Sequence, residues 1–82
     1  MTKPEMMDDL SRYIATTILK QSTRTILPGE KIISSGLIDS FHLVDLSMYV
    51  EERFGAVIDD TELNAATFDT ISELADLIAQ RA

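Results

Sequence analysis

The chain has 82 residues with 45% hydrophobic side chains, and we expect one globular domain over residues 1–82. Its formal net charge of −7 disfavours binding to nucleic-acid phosphates and to anionic membranes, and favours partners with basic patches. From charge alone, the better interpretation is that the acidity only aids solubility. It has no cysteine, which excludes disulfides, thiolate metal sites and thiol chemistry by its own side chains.

The sequence also lacks signals for membrane insertion or secretion. No apolar run approaches the roughly 20 residues that a membrane span needs. Residues 1–10 lack the basic region and the apolar core of a signal peptide. The absence of cysteine fits a reducing compartment. We therefore expect a protein of the cytoplasm. We also expect it to be a monomer.

The first predicted element is a helix from about Lys3 to Gln21. Thr2 and Glu5 have the spacing of a capping box, and Pro4 suits the first helical turn. Apolar side chains then recur at helical spacing, and they are Met6, Met7, Leu10, Tyr13, Ile14 and Ile18.

A long connection, from about Ser22 to Asp39, follows this helix. Connections longer than about 12 to 15 residues are uncommon in compact domains and are usually functional or disordered. The segment Lys31–Ile33 is too short to carry a sheet. The connection is nevertheless rich in apolar residues that could hold it against a bundle: Ile26, Leu27, Ile32, Ile33, Leu37 and Ile38. It is therefore predicted to present the start of the next helix.

The second helix is predicted from near Ser40 to near Phe54, with Asp39 as its N-cap and Gly55 as its stop. At about 100° per residue, one arc of this helix is apolar and is predicted to face the core. The residues of this arc are Leu43, Leu46, Val50 and Phe54, with Ser47 at its edge.

A second apolar arc lies on the same helix, away from the core face, and consists of Phe41, Val44 and Met48. Three acidic residues lie in or beside this arc, and they are Asp45, Glu51 and Glu52. Geometry alone leaves two alternatives, because the long connection could cover the arc or leave it exposed. The acidic rim favours an exposed docking surface. The remaining stripe of the helix is polar and aromatic, with His42, Tyr49 and Arg53.

Two further helix starts complete the chain. Asp59-Asp60-Thr61-Glu62 predicts a short third helix, and Thr70-Ile71-Ser72-Glu73 is a capping box for the last one. Behind that box an apolar stripe contains Ile71, Leu74, Ala75 and Ile78. The sequence therefore predicts an all-α fold, a small four-helix bundle with three longer helices and one short one.

Ser40 is the candidate for chemistry, since it lies in the first turn of the second helix. Unpaired N–H groups and the helix dipole there would stabilise a phosphate on its hydroxyl by about 0.3 to 1 kcal/mol. The alternative is a serine that only hydrogen-bonds the backbone. A catalytic serine would need a base, and the single histidine, His42, is predicted to point to the opposite side of the helix. A lone histidine with scattered acids also lacks metal-ligand spacing, so we expect neither catalytic residues nor a metal site.

The segment Gly36-Leu37-Ile38-Asp39-Ser40-Phe41, followed by LVDLSMYVEERFG, resembles the attachment region of acyl carrier proteins and of peptidyl or aminoacyl carrier domains. The resemblance extends over essentially the whole chain. It implies that Ser40 carries covalent 4'-phosphopantetheine, donated by coenzyme A, and that Asp39 belongs to the attachment motif. The phosphopantetheinyl transferase would supply the missing base, and the arm would supply the missing thiol. Partner enzymes would then recognise the second apolar arc and its acidic rim.

Some residues depart from the pattern of this family. Leu37 and Ile38 both separate Gly36 from Asp39, where many members have one residue. Phe41 replaces the more usual leucine or methionine. His42 and Arg53 stand where acyl carriers of fatty acid synthesis often have acids. These differences leave the partner synthase open.

The resemblance therefore implies a discrete acyl or aminoacyl carrier protein without catalytic activity of its own. Its partners would be the phosphopantetheinyl transferase and acyl- or aminoacyl-activating ligases, acyltransferases or synthases. Fatty acid, polyketide, nonribosomal peptide and specialised transfer pathways all remain open. The alternative function is an unmodified acidic helical adaptor that binds one protein through the same surface.

Overall fold

The computed structural model describes residues 2–82, which form helices and no strand. Helix α1 spans Lys3–Tyr13 and continues as a π-helix over Ile14–Ile18, α2 spans Ser40–Phe54, a 3-10 helix spans Asp60–Glu62, and α3 spans Ile71–Arg81. The predicted all-α fold with three longer helices and one short one is confirmed. None of the helices within residues 2–82 is long and apolar enough to cross a membrane.

Capping explains where the helices begin. Thr2 and Glu5 form the predicted capping box at α1, and Thr70 and Glu73 form the one at α3. Each box satisfies backbone N–H groups that have no partner inside the helix. Helix α2 ends at Gly55, whose φ of 75° is a left-handed conformation that glycine adopts without steric cost.

The first helix ends earlier than predicted. Its last turn is a π-helix that ends at Ile18, three residues before the predicted end at Gln21. Lys20 has a left-handed φ of 55°, and the Gln21 N–H donates to the Ala15 carbonyl oxygen at 2.7 Å. The Thr16 hydroxyl also donates to the Arg12 carbonyl oxygen at 2.6 Å. This side-chain bond occupies the Arg12 carbonyl oxygen, which would accept a backbone N–H in a regular α-helix. The competition favours the wider turn of a π-helix.

The core lies where one face of each α-helix meets the others. The predicted arc of α2 is buried at Leu43, Leu46, Ser47 and Val50, while Phe54 is half-buried and packs against the core. The predicted stripe of α3 is buried in full, at Ile71, Leu74, Ala75 and Ile78. Apolar periodicity therefore identified the inner faces of both helices correctly.

Three isoleucines hold the long connection to the bundle. Ile26, Ile32 and Ile38 are buried, whereas Ile33 and Leu37 are partly buried. Leu27 is 63% exposed, so its predicted role in holding the connection is wrong. Proline at position 28 favours extended backbone at Leu27, and neighbouring side chains of an extended segment point in opposite directions. Burial of Ile26 therefore turns Leu27 toward solvent.

Polar contacts join α2 to α1 along the stripe that contains Tyr49 and Arg53. The Tyr49 hydroxyl donates to Asp9, and Arg53 Nε donates to Asp9 Oδ2 at 3.1 Å. The Tyr49 ring also stacks on Tyr13 with 3.8 Å between the ring centroids. Burial and the Asp9 carboxylate raise the pKa of Tyr49 to about 12. Tyr49 and Arg53 therefore have a structural role, because they hold α2 against α1.

We expect added salt to raise the melting temperature by several degrees near neutral pH. The chain has 14 acidic side chains and 7 basic ones, so like charges repel in the folded state. Salt screens that repulsion, and the exposed ion pairs that it also weakens contribute little. Thermal melts over a series of NaCl and MgCl₂ concentrations measure the effect. A melting temperature that stays constant or falls would show that self-repulsion costs little stability.

Candidate functional site

The candidate site is the N-terminus of α2, which Asp39 caps. Asp39 has extended backbone, with φ −82° and ψ 173°, and its carboxylate accepts a hydrogen bond from the His42 N–H at 2.9 Å. This backbone bond is the main reason why the pKa of Asp39 lies below its ordinary value. The cap thereby ends the long connection and starts the helix at a defined residue.

Ser40 is the first residue of α2, and its side chain is exposed. Its hydroxyl makes no hydrogen bond with any of residues 2–82, so the alternative of a serine engaged with the backbone is not observed. The unpaired N–H groups and the dipole at a helix start favour a negative group on this hydroxyl. The position is thus accessible and suited to a phosphodiester.

The His42 side chain contacts the Asp39 carboxylate, three residues earlier on the same side of the helix, and this contact is compatible with the predicted direction away from Ser40. Its Nδ1 is 2.9 Å from Asp39 Oδ1, and the side chain is 44% exposed. Side chains on a helix lean toward the N-terminus, so the imidazole folds back over the cap. No hydrogen bond within the described chain joins His42 to Ser40. The contact therefore supports the cap and does not involve the serine hydroxyl.

The second apolar arc of α2 is exposed to solvent. Phe41 is 83% exposed, Met48 is 61% exposed and Val44 is 41% exposed. The alternative in which the long connection covers these side chains is wrong. Asp45, Glu51 and Glu52 are also exposed, and none of them forms an ion pair within residues 2–82. We call these six residues the α2 surface.

Asp69 belongs to the surroundings of the site, and no sequence motif points to it. Its carboxylate accepts hydrogen bonds from the Ile33 and Ser34 N–H groups, both at 2.8 Å. Ile33 and Ser34 lie in the connection that leads to Ser40. Asp69 is 35 and 36 residues away from them in the chain, so no local pattern could have revealed the contact.

Replacing the cap should lower stability. We expect Asp39→Ala to reduce the melting temperature by ~5 °C, because the His42 N–H loses its acceptor. The effect should depend on pH. Since the pKa of Asp39 in the folded protein lies below its ordinary value of 3.8, its contribution is complete above that value and is lost as pH falls through the lower folded value.

Thermal melts of wild type and Asp39→Ala at neutral and at acidic pH test this expectation. The difference in melting temperature between the two proteins should be smaller at acidic pH. Equal melting temperatures at neutral pH would show that Asp39 does not stabilise the helix start. Asp60→Ala, which removes an exposed acid from the 3-10 helix, is the control for loss of charge.

Comparison with known proteins adds independent findings. The family described as "Phosphopantetheine attachment site" has a sequence model that matches residues 12–78. The chain is 27% identical to the D-alanyl carrier protein of Bacillus subtilis (strain 168), over 95% of this chain and 94% of the relative. It is 34% identical to the chloroplastic acyl carrier protein 2 of Spinacia oleracea, over 93% of this chain and 56% of the relative. No solved structure matches the chain.

Proposed function

Because the chain belongs to the family of phosphopantetheine-bearing carrier proteins, we propose that it carries acyl or aminoacyl groups on an arm attached to Ser40. The observation that carries this proposal is the position of Ser40. It is exposed, it starts a capped helix, and it lies inside the segment that the family matches. A carrier of this kind is a substrate of other enzymes and catalyses no reaction itself.

Attachment requires little from the carrier beyond an accessible hydroxyl. Ser40 Oγ would attack the phosphorus next to pantetheine in coenzyme A, and the pyrophosphate bond would break as the new O–P bond forms, which releases adenosine 3',5'-bisphosphate. The serine proton would pass to a base on the transferase, since His42 makes no hydrogen bond to Ser40 within the described chain. The α2 helix dipole would then stabilise the phosphodiester charge. The attached arm supplies a thiol that holds the cargo as a thioester.

The α2 surface is the proposed docking site for the transferase and for the loading enzymes. Its exposed apolar side chains Phe41, Val44 and Met48 follow one another at spacings of three and four residues, on the face that begins at Ser40. Exposed acids that have no ion-pair partner within residues 2–82 surround them, which suits a basic partner surface. A partner that binds here would have Ser40 at the edge of its interface.

We propose a small aminoacyl group as the first cargo to test. The relative from Bacillus subtilis is named a D-alanyl carrier protein, and the alignment covers nearly the whole length of both chains. Incubation of the modified protein with D-alanine, ATP and a D-alanine-activating ligase tests this cargo, with a fatty acid and an acyl-activating ligase as the comparison. A cytoplasmic location is part of the same proposal, because a free thiol persists best under reducing conditions.

Mass analysis after incubation with coenzyme A and a broad-range phosphopantetheinyl transferase tests the attachment itself. We expect the wild-type protein to gain the mass of one arm, and peptide mapping should locate that mass at Ser40. The adaptor alternative predicts no change in mass. An established acyl carrier protein in the same reaction serves as the control. If the control gains the arm and this protein does not, the carrier function is wrong.

A further inference from the structure

Asp69 is a buried carboxylate that holds a loop distant from it in sequence. It is 6% exposed and lies directly before the Thr70 cap of α3. Besides the two backbone N–H groups of Ile33 and Ser34, its carboxylate accepts a hydrogen bond from the Ser34 hydroxyl. These bonds, first of all those from Ser34, lower the pKa of Asp69. The side chain is therefore a charged acceptor with three donors, all from one short segment.

The backbone of Asp69 is itself firmly anchored. Its N–H donates at 2.8 Å to Oε1 of Glu73, a residue that also forms the capping box of α3. Its carbonyl oxygen accepts from the Ile32 N–H at 2.7 Å, and Ile32 is fully buried. The neighbouring Phe68 is 1% exposed and belongs to the core. Asp69 thus links the loop to the core and to the start of α3, which restricts the movement of the loop.

A short series of hydrogen bonds connects this anchor to Ser40. The Gly36 N–H donates to the Ile33 carbonyl oxygen at 3.0 Å, which closes a turn in which Gly36 has a left-handed φ of 79°. The Ile38 N–H donates to the Ile32 carbonyl oxygen at 3.0 Å, and the side chain of Ile38 is buried. Asp39 and Ser40 follow immediately. The loop before Ser40 is therefore closed by the hydrogen bond between Ile38 and Ile32. It is also held in place by the hydrogen bonds from Ile33 and Ser34 to Asp69.

We propose that Asp69 is a positioning residue for phosphopantetheine attachment, acting by fastening the loop that presents Ser40. The inference rests on the proposed attachment at Ser40. Removing the carboxylate leaves two backbone N–H groups without their acceptor, so the loop should sample other conformations. Reactive positions tolerate little displacement, and a small misplacement lowers the rate strongly. Within the described chain, the side-chain hydrogen bonds of Asp69 go to Ile33 and Ser34 and not to the α2 surface, so docking of the transferase should be unaffected.

Steady-state kinetics with coenzyme A and a broad-range transferase test the proposal at a temperature where each variant is folded by circular dichroism. We expect Asp69→Ala to lower kcat about tenfold with a nearly unchanged KM for the carrier. Asp69→Asn keeps an acceptor oxygen for the two N–H groups, and it should remain within about threefold of wild type. Ser34→Ala, which removes one of the three bonds, should give an intermediate kcat.

Two controls separate positioning from stability and from charge. Ile78→Val truncates a fully buried side chain in the far half of α3, and it should lower the melting temperature without changing kcat. Asp60→Ala removes an exposed carboxylate and should behave as wild type. If Asp69→Ala keeps the wild-type kcat, or if Ile78→Val reproduces its loss, the positioning role is wrong. If wild type itself is never modified, the proposed function fails instead.

Hydrogen exchange of the wild-type protein gives a test that needs no variant. We expect the Ile33 and Ser34 amides to exchange at least about tenfold more slowly than those of Ser22 and Thr23, in the same connection. Ser22 and Thr23 are exposed, and their N–H groups form no backbone hydrogen bond within the described chain. Equal exchange rates in the two segments would show that Asp69 does not fasten the loop in solution, and would overturn the proposal.

Discussion

Ser40→Ala is expected to fold as wild type does and to accept no phosphopantetheine arm. The substitution removes the only hydroxyl at the start of α2, so no acceptor remains at the presented position. Stability should change little, because Ser40 is exposed and its hydroxyl has no hydrogen-bond partner within residues 2–82. Alanine also has the highest helix propensity, so α2 should retain its first turn.

Intact mass after reaction with coenzyme A and transferase, beside a thermal melt, measures both expectations. Ser35→Ala is the matched control, since Ser35 is an exposed serine in the same loop. Its hydroxyl donates to the Lys31 carbonyl oxygen at 2.5 Å, so its loss could loosen the loop, but the arm should still attach. A Ser40→Ala protein that gains the mass of the arm would show that another residue is the attachment site.

Leu46→Ala is expected to destabilise the protein by about 2 to 5 kcal/mol, whereas Val44→Ala and Met48→Ala should stay within about 0.5 kcal/mol of wild type. Leu46 is fully buried in the core, so its truncation leaves a cavity. Val44 and Met48 are 41% and 61% exposed on the α2 surface. Their truncation should instead slow modification, since partners would lose apolar contacts.

The largest effect on docking is expected for Phe41→Ala. Its ring is 83% exposed, and aromatic residues are frequent among the few that dominate binding energy. Asp45→Lys and Glu52→Lys should mainly slow association, and less so at high salt.

Denaturant midpoints and modification rates of the same single variants show whether the second apolar arc serves docking or belongs to the core. If Val44→Ala and Met48→Ala destabilise as much as Leu46→Ala and leave the modification rate unchanged, the second apolar arc belongs to the core. The α2 surface would then not be a docking site. Thr61→Ala, a change at an exposed residue of the 3-10 helix, is the control for surface substitution.

Local rules were sufficient for most of the secondary structure. Capping boxes need residues three positions apart, so Thr2 with Glu5 and Thr70 with Glu73 could be read directly from the sequence. The inner face of α2 followed from a spacing that repeats within two turns, and Leu43, Leu46 and Val50 are indeed buried. The same rule fails at the end of the first helix. There the apolar spacing continues to Ile18 while the backbone has already widened into a π-helix.

Sequence patterns alone identify the starts of the helices, the inner faces of α2 and α3, and the family. Helix starts and inner faces depend on residues close together in the chain, and the family follows from motifs distributed along most of it. The surroundings of the candidate site depend on tertiary contacts. Whether the α2 surface is covered depends on the path of a long connection, and the fastening of that connection depends on Asp69, a residue from the start of α3. Such contacts form when distant segments pack together, and a pattern within one helix carries no information about them.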